Sequence, residues 1–110
     1  MLREVFASII IPCKIIDGYV EECVKHCLSL SYANAEILVL PDNEQQLSCD
    51  DSRLKIIPTG VAKPSQKRNI GIKCSCGEIC AFIDADAYPH KDWLRNALMY
   101  FKDAEVAAVG

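Results

Sequence analysis

Two features that the sequence lacks exclude whole classes of protein. It has no long apolar run, because the stretch from Ala7 to Ile11 ends at Pro12, well short of the roughly 20 apolar residues that cross a bilayer. No small-residue cleavage site of a signal peptide follows it. It also has no basic excess, since 12 Lys and Arg side chains stand against 15 Asp and Glu, which disfavours broad binding to phosphate backbones or anionic lipid. We therefore expect no nucleic-acid partner and no membrane contact from this segment.

Glycine and proline are scarce, at five residues each among 110, and no repeat or low-complexity tract is present. The 51% of hydrophobic and 25% of charged residues are the balance of one soluble globular domain over residues 1–110. Cysteine is abundant, but the odd number of seven and the irregular spacing match neither a secreted disulfide framework nor the C-x-x-C pairs of structural zinc sites. We interpret these residues as reduced, mostly buried thiols of a cytoplasmic protein, with the cytoplasmic face of the membrane as the alternative location of the full-length form.

Short apolar runs rich in β-branched residues recur along the chain, separated by polar or helical segments. Continuous rather than alternating hydrophobicity in such runs is typical of strands covered on both faces, as in a mostly parallel sheet. The predicted strands are Ala7–Ile11, Glu36–Leu40, Leu54–Ile57, Ile79–Ile83 and Glu105–Val109. Because the chain stops directly after the fifth run, we expect a truncated domain whose uncovered edge near Val106–Val109 favours homo-oligomers.

Three helices are predicted between and after these strands. The first carries one apolar stripe at helical spacing, after the capping residues Asp17 and Gly18. The second covers Pro64–Cys74, and its Gly71, which costs about 1 kcal/mol relative to alanine in an exposed helix, indicates close packing against a neighbour. The third covers Lys91–Phe101. Alternating strands and helices predict an α/β three-layer sandwich.

The residues that follow the strands are the first candidates for chemistry, because open α/β sheets bind ligands beyond the carboxyl ends of their strands. Asp84-Ala85-Asp86 follows the fourth predicted strand. Two carboxylates that flank a small residue repel each other unless a cation or hydrogen-bond donors lie between them. Mg²⁺ and Mn²⁺ prefer carboxylate oxygens as ligands, and such a metal is commonly shared with substrate phosphates. The alternative is that both aspartates only cap the following turn.

Arg68 lies in the second candidate segment, near the start of the second predicted helix. Its planar guanidinium can form two parallel hydrogen bonds with a diphosphate or with an acidic partner. The lysines of the same region, Lys63, Lys67 and Lys73, are interpreted instead as a solvated helix face.

Taken in order, five pieces of the sequence resemble the opening of a family-2 glycosyltransferase of the GT-A fold. They are Ser8-Ile9-Ile10-Ile11-Pro12, the segment from Glu21 to Leu30, Glu36-Ile37-Leu38-Val39-Leu40-Pro41-Asp42, Arg68-Asn69-Ile70-Gly71-Ile72, and the stretch from Gly77 through Phe82-Ile83-Asp84-Ala85-Asp86 to Trp93-Leu94. The resemblance covers nearly the whole chain. It implies a nucleotide-diphospho-sugar transferase-like fold and the N-terminal, nucleotide-sugar-binding part of an inverting, metal-dependent glycosyltransferase.

The resemblance also implies roles for single residues. Asp42 would hydrogen-bond uracil or another base, the backbone around Pro12 would flank the nucleoside, and Arg68 would lie near the base or the diphosphate. Asp84 would approach the ribose and, together with Asp86, the Mn²⁺ or Mg²⁺ that bridges the diphosphate. The implied ligand is a nucleoside-diphosphate sugar, with a UDP-sugar as the first candidate.

Departures from the family pattern limit what the resemblance implies. Only Asp17 could supply the carboxylate common after the first strand, and Pro41 stands where an aspartate is frequent, which leaves base selectivity open. The acceptor half and the general base have no counterpart before Gly110, so this segment alone is expected to bind donor without efficient transfer.

Two alternatives remain open, and a third class is disfavoured. One is a nucleotidyltransferase-like enzyme, although the glycine-rich, basic signature normal after its first strand is missing. The other is a non-catalytic nucleotide-binding or assembly module. A dinucleotide-dependent enzyme of the Rossmann type is disfavoured, because no G-x-G-x-x-G follows the first strand.

Overall fold

A computed structural model of the chain describes residues 5–100. Within that range the elements are, in order, β1 (Ala7–Pro12), α1 (Gly18–Leu28), β2 (Ala35–Leu40), β3 (Leu54–Ile56), α2 (Pro64–Cys74), β4 (Ile79–Phe82) and α3 (Trp93–Tyr100). The predicted fifth strand, Glu105–Val109, and the uncovered edge near Val106–Val109 lie outside the described residues. Of the helices that the structure describes, none has the length and hydropathy needed to span a bilayer.

The described strands form one parallel sheet in the order β3-β2-β1-β4. Strand β1, one of the two inner strands of this sheet, carries apolar residues on both faces, with Ile9, Ile10 and Ile11 each at most 1% exposed. Ile9 and Ile11 belong to the cluster that α1 and α3 cover, whereas Ile10 packs on the other face, where α2 contributes Ile70. Helices therefore cover both faces, and the prediction of an α/β three-layer sandwich is confirmed.

Helix α1 begins where the capping pattern predicts. The side-chain Oδ1 of Asp17 accepts a hydrogen bond of 3.0 Å from the backbone N–H of Val20, which satisfies one of the free donors of the first turn. The predicted stripe faces the sheet, and its buried residues are Val20, Cys23, Val24 and Cys27.

Helix α2 has the predicted bounds and lies unusually close to the sheet. Pro64 occupies its first turn, where the missing N–H removes no hydrogen bond. A Cβ atom added at Gly71 would lie 2.6 Å from Cγ2 of Ile10, closer than any real side chain approaches. The predicted close packing at Gly71 is confirmed, and it brings the helix backbone onto β1.

A buried polar cluster near the amino ends of the strands holds the loop between α2 and β4. Glu36 is 2% exposed, and its Oε2 accepts hydrogen bonds from Ser8 Oγ at 2.6 Å and from the N–H of Cys76 at 2.7 Å. Its Oε1 accepts from Lys55 Nζ at 2.8 Å. Ser8 Oγ accepts in turn from the N–H of Gly77 at 2.8 Å. One carboxylate thus joins β1, β2, β3 and the loop that precedes β4.

The acid stability of the protein is expected to depend on Glu36. Burial raises the pKa of this carboxyl, but hydrogen bonds from Lys55, Ser8 and Cys76 outweigh that effect, so the pKa lies below its ordinary value of 4.5. A carboxyl with a lowered native pKa stabilises the fold above its unfolded pKa, and this stability is lost as the pH falls through the native value. Glu36→Gln should lower the free energy of unfolding by about 2 kcal/mol near neutral pH and flatten the loss of stability under acid.

Urea unfolding at a series of pH values from neutral to strongly acidic measures this effect. The exposed residue Glu44 provides the matched control, since Glu44→Gln should keep the pH profile of the wild type. A Glu36→Gln profile parallel to that of the wild type would contradict the prediction.

Candidate functional site

The loops after β1, β2 and β3 are joined by backbone hydrogen bonds at the carboxyl edge of the sheet. The N–H of Asp42 donates to the carbonyl of Lys14 at 3.0 Å, and the N–H of Gly60 donates to the carbonyl of Asp42 at 2.8 Å. Gly60 has a φ of 77°, a left-handed conformation that glycine adopts without steric cost. Residues from three separate loops therefore form one continuous rim.

A cavity of about 340 Å³ opens between this rim and the start of α2; we name it the Arg68 cavity. Its volume lies within the range of roughly 300 to 1,000 Å³ typical of small-molecule sites. Three residues singled out from the sequence, Pro12, Arg68 and Asp84, line this cavity. The lining residues are Pro12, Cys13, Lys14, Ala62, Pro64, Lys67, Arg68 and Asp84.

Arg68 and Asp84 form a loose, exposed ion pair at the Arg68 cavity. Nη2 of Arg68 lies 4.0 Å from Oδ1 of Asp84, and the two side chains are 44% and 79% exposed. An exposed pair of this kind contributes little to stability. Both groups can therefore rearrange toward a ligand at small cost.

Asp86 lies at a neighbouring cavity of about 220 Å³, which we name the Asp86 cavity. The turn that carries Asp84 and Asp86 is closed by main-chain groups, with the N–H of Ala87 donating to the carbonyl of Asp84 at 3.0 Å. Cys13 and Lys14 line both cavities, so the two openings adjoin each other. Among residues 5–100, no three His, Cys, Asp or Glu side chains gather so that they could hold a metal ion by themselves.

The turn with the two aspartates is held against α1 by two contacts. The thiol of Cys23 donates to the carbonyl of Asp84 over 3.7 Å. The ring of His26 stacks on the ring of Tyr88, with centroids 5.0 Å apart and planes inclined by 17°. The position of the turn therefore depends on α1 as well as on β4.

Lys67 corrects one sequence interpretation, because it does not belong to a solvated helix face. Its side chain is only 3% exposed, and its Nζ donates to the carbonyl of Cys13 at 2.5 Å, to the carbonyl of Leu40 at 3.1 Å and to Oδ1 of Asp42 at 2.6 Å. Lys63 and Lys73 are exposed as expected. Asp42 does not line the Arg68 cavity itself but contacts two residues that do.

One signal in the sequence could have revealed the burial of Lys67. Gly71 predicts a close contact between α2 and its neighbour, and Lys67 lies four residues earlier, which places it on the same face of the helix. A lysine on that face needs buried acceptors, and carbonyls at the strand ends supply them.

The cysteines are all free, but only some of them are buried. Cys23 and Cys27 are buried, Cys74 and Cys76 are exposed, and the other three are partly exposed, so the expectation of mostly buried thiols is wrong. Burial raises the pKa of Cys13 to about 11, although Lys67 acts in the opposite direction. Cys13 therefore lines both cavities as a neutral thiol near pH 7.

Comparison with known sequences relates the chain to glycosyltransferases. A sequence model of the family described as Glycosyl transferase family 2 matches residues 8–110. The chain is 30% identical to an uncharacterized glycosyltransferase, EpsJ, of Bacillus subtilis, over 74% of this chain and 26% of that protein. It is also 30% identical to the glycosyltransferase AglE of Haloferax volcanii, over 96% of this chain and 38% of that protein. The chain thus spans well under half the length of these relatives.

Comparison with solved structures confirms the predicted GT-A fold. The mannosyltransferase PcManGT from Pyrobaculum calidifontis, in complex with GDP-Man and Mn²⁺, matches with a TM-score of 0.78 and 20% identity over 94% of this chain and 34% of that one. S. aureus TarS 1–349 in complex with UDP-GlcNAc matches with a TM-score of 0.70 and 22% identity over 87% of this chain and 31% of that one.

Proposed function

The chain belongs to glycosyl transferase family 2, and we propose that it forms the nucleotide-sugar-binding part of an inverting, divalent-metal-dependent glycosyltransferase. The observation that carries this proposal is the Arg68 cavity, where Pro12, Arg68 and Asp84 meet at the carboxyl edge of the sheet beside the Asp86 cavity. The ligand is a nucleoside-diphosphate sugar, with a UDP-sugar as the first candidate. We assign no catalytic base within residues 1–110. We propose that the general base and the acceptor half correspond to the part of the longer relatives that this chain does not span.

The diphosphate of the donor binds between Arg68 and the turn that carries Asp84 and Asp86. The guanidinium supplies positive charge and planar donors suited to phosphate oxygens. The two carboxylates supply oxygens of the kind that Mn²⁺ and Mg²⁺ prefer, and such a metal is commonly held by one or two carboxylates together with substrate phosphates. The two aspartates therefore fit a metal shared with the diphosphate. When bound, that metal supplies Lewis-acid stabilisation of the leaving nucleoside diphosphate.

The nucleoside lies along the backbone around Pro12, with the ribose toward Asp84 and the base toward Asp42. The position of Asp42 supports this arrangement, because the backbone N–H of Asp42 bonds to the carbonyl of Lys14, and Lys14 lines the Arg68 cavity. The neutral thiol of Cys13 adds no charge beside the phosphates.

Properties of the relatives and of the chain support the ligand class and the compartment. One matching structure holds GDP-Man with Mn²⁺ and another holds UDP-GlcNAc. All seven cysteines are free, which supports a reducing compartment. We place the protein in the cytoplasm, with the cytoplasmic face of the membrane as the alternative for the full-length form.

UDP with Mn²⁺ is expected to stabilise the protein, because a ligand that binds only the native state shifts the unfolding equilibrium. At a UDP concentration one hundred times its Kd the gain is about 2.7 kcal/mol, which corresponds to a rise in melting temperature of roughly 10 °C. Asp86→Ala should abolish the part of this rise that requires Mn²⁺. Thermal unfolding with UDP alone, with MnCl₂ alone and with both measures the effect.

Asp50 provides the matched control for this experiment. Its side chain is exposed and lies outside both cavities, so Asp50→Ala should keep the full rise caused by UDP with Mn²⁺. An equal Mn²⁺-dependent rise in Asp86→Ala would remove Asp86 from the metal site. If UDP with Mn²⁺ does not raise the melting temperature of the wild type, the proposed function is wrong.

A further inference from the structure

We infer, building on the proposed function, that Lys67 is a positioning residue that turns one carboxylate oxygen of Asp42 inward and leaves the other for the base, so that the chain selects uridine diphosphates over guanosine diphosphates. Lys67 does not itself bind the nucleotide in this arrangement. It acts through Asp42, and its effect on nucleotide preference can be measured separately from the role of the metal site.

The ammonium of Lys67 is fully occupied by acceptors of the protein. It donates to the carbonyls of Cys13 and Leu40 and to Oδ1 of Asp42. A lysine ammonium has three N–H donors, and these three acceptors use all of them. Because the ammonium is buried and fully bonded, its position does not depend on a ligand, and Oδ1 of Asp42 stays turned toward the interior.

The backbone of Asp42 is held as firmly as its side chain. Its N–H donates to the carbonyl of Lys14 and its carbonyl accepts from the N–H of Gly60. With both backbone groups bonded and Oδ1 held by Lys67, the carboxylate cannot turn to present its two oxygens side by side. The Asp42 side chain is 13% exposed, and within residues 5–100 the side-chain donor that it meets bonds to Oδ1, which leaves Oδ2 for a ligand.

A carboxylate that presents only one oxygen to the base distinguishes between bases by the number and position of the donors on their edges. Uracil offers one N–H donor, at N3, between two carbonyl acceptors, and one carboxylate oxygen satisfies it. Guanine offers two adjacent donors, at N1 and at the exocyclic amine, and these are best satisfied by two carboxylate oxygens in parallel. With one oxygen turned inward, a guanine donor is left unpaired, and an unpaired donor in a binding site is costly.

Asp42→Asn tests the orientation directly, because an amide has two different ends. If Lys67 fixes the group, it retains the amide oxygen, and the NH₂ turns toward the base. The amide NH₂ then faces the N3–H of uracil, which is also a donor, so no hydrogen bond forms. The N3 of cytosine is an acceptor and can receive a hydrogen bond from the same NH₂. We expect UDP to bind the wild type at least ten-fold more tightly than GDP or CDP, and Asp42→Asn to bind CDP more tightly than UDP.

Isothermal titration of the full chain with UDP, GDP and CDP, each with MnCl₂, measures these preferences. In the double variant Lys67→Met/Asp42→Asn the amide is free to rotate, so binding of UDP should recover relative to CDP. Lys73→Met, on the exposed side of the same helix, should behave as the wild type. A general loosening of the site lowers the affinity for all three nucleotides together, and therefore does not change their order.

The outcomes separate this inference from the proposed function. If Asp42→Asn keeps the wild-type preference for UDP over CDP, or if the wild type binds GDP as tightly as UDP, the inference is overturned while the proposed function stands. If the wild type binds none of the three nucleotides, the proposed function itself is overturned. Should Asp42→Asn fail to fold, the wild type decides, because binding of UDP less than ten-fold tighter than that of both GDP and CDP would overturn the inference.

Discussion

Lys67→Met should lower the free energy of unfolding by about 3 to 5 kcal/mol, the cost of breaking a buried ion pair from one side. Methionine keeps most of the length of the side chain but removes the charge. The carboxylate of Asp42, only 13% exposed, then loses its cation, and the carbonyls of Cys13 and Leu40 lose a donor. This is a large fraction of the stability of a small domain. Equilibrium unfolding in urea, followed by circular dichroism, measures the loss.

Two further variants show whether the loss comes from the charge pair. Lys67→Met/Asp42→Asn should be more stable than the sum of the two single changes allows, because it removes both charges together. Lys73→Met should change the free energy of unfolding by less than about 0.5 kcal/mol, since Lys73 is exposed. Equal effects of Lys67→Met and Lys73→Met would refute the buried pair.

Gly77→Ala should lower the free energy of unfolding by about 3 kcal/mol, for a reason of space rather than charge. A Cβ atom at Gly77 would lie 2.4 Å from Oγ of Ser8, 2.6 Å from its backbone nitrogen and 2.9 Å from the carbonyl carbon of Ala7. Two of these atoms belong to the backbone of the inner strand β1, which cannot move without disturbing the sheet. Overpacking of this kind costs about 1 to 3 kcal/mol, and displacing the loop also breaks the hydrogen bonds from Cys76 and Gly77, each worth about 1 kcal/mol.

Gly18→Ala is the matched control, because it makes the same chemical change where there is room. No atom lies within 4 Å of a Cβ built at Gly18, and alanine reduces the entropy of the unfolded chain by an amount worth about 0.4 to 1 kcal/mol. Its urea midpoint should therefore equal or exceed that of the wild type. A midpoint for Gly77→Ala as high as that of Gly18→Ala would show that the loop before β4 does not press on β1.

Most of the described fold could be predicted because its signals are local. The run Ala7–Ile11 became β1 with one added residue, and Pro64–Cys74 became α2 without any change. The cap at Asp17 depends on an atom three residues away. Gly71 was informative for the same reason, since a glycine within a helix has a known cost and needs a compensating contact.

The candidate site was predictable only in part. Asp84 and Asp86 could be singled out because they directly follow a strand in the sequence. Lys67 was misread as a solvated residue because its partners are remote, with Asp42 lying 25 residues and Cys13 lying 54 residues away along the chain. Glu36 was predicted only as part of a strand, and its buried hydrogen bonds were missed for the same reason. The N–H of Cys76, which donates to its carboxylate, lies 40 residues away along the chain.

The sequence by itself determined the succession of the described strands and helices along the chain, the capping of α1, the close contact at Gly71 and the position of the two aspartates at a strand end. These features are indicated by residue types and their local pattern, although the partner of Gly71, Ile10, is remote in the sequence. Only the tertiary structure decided that Lys67 and Glu36 are buried, that Asp84 and Asp86 lie at adjoining cavities, and that one oxygen of Asp42 faces inward. A charged side chain leaves water only where distant groups compensate its desolvation, and those groups meet only when the sheet has formed.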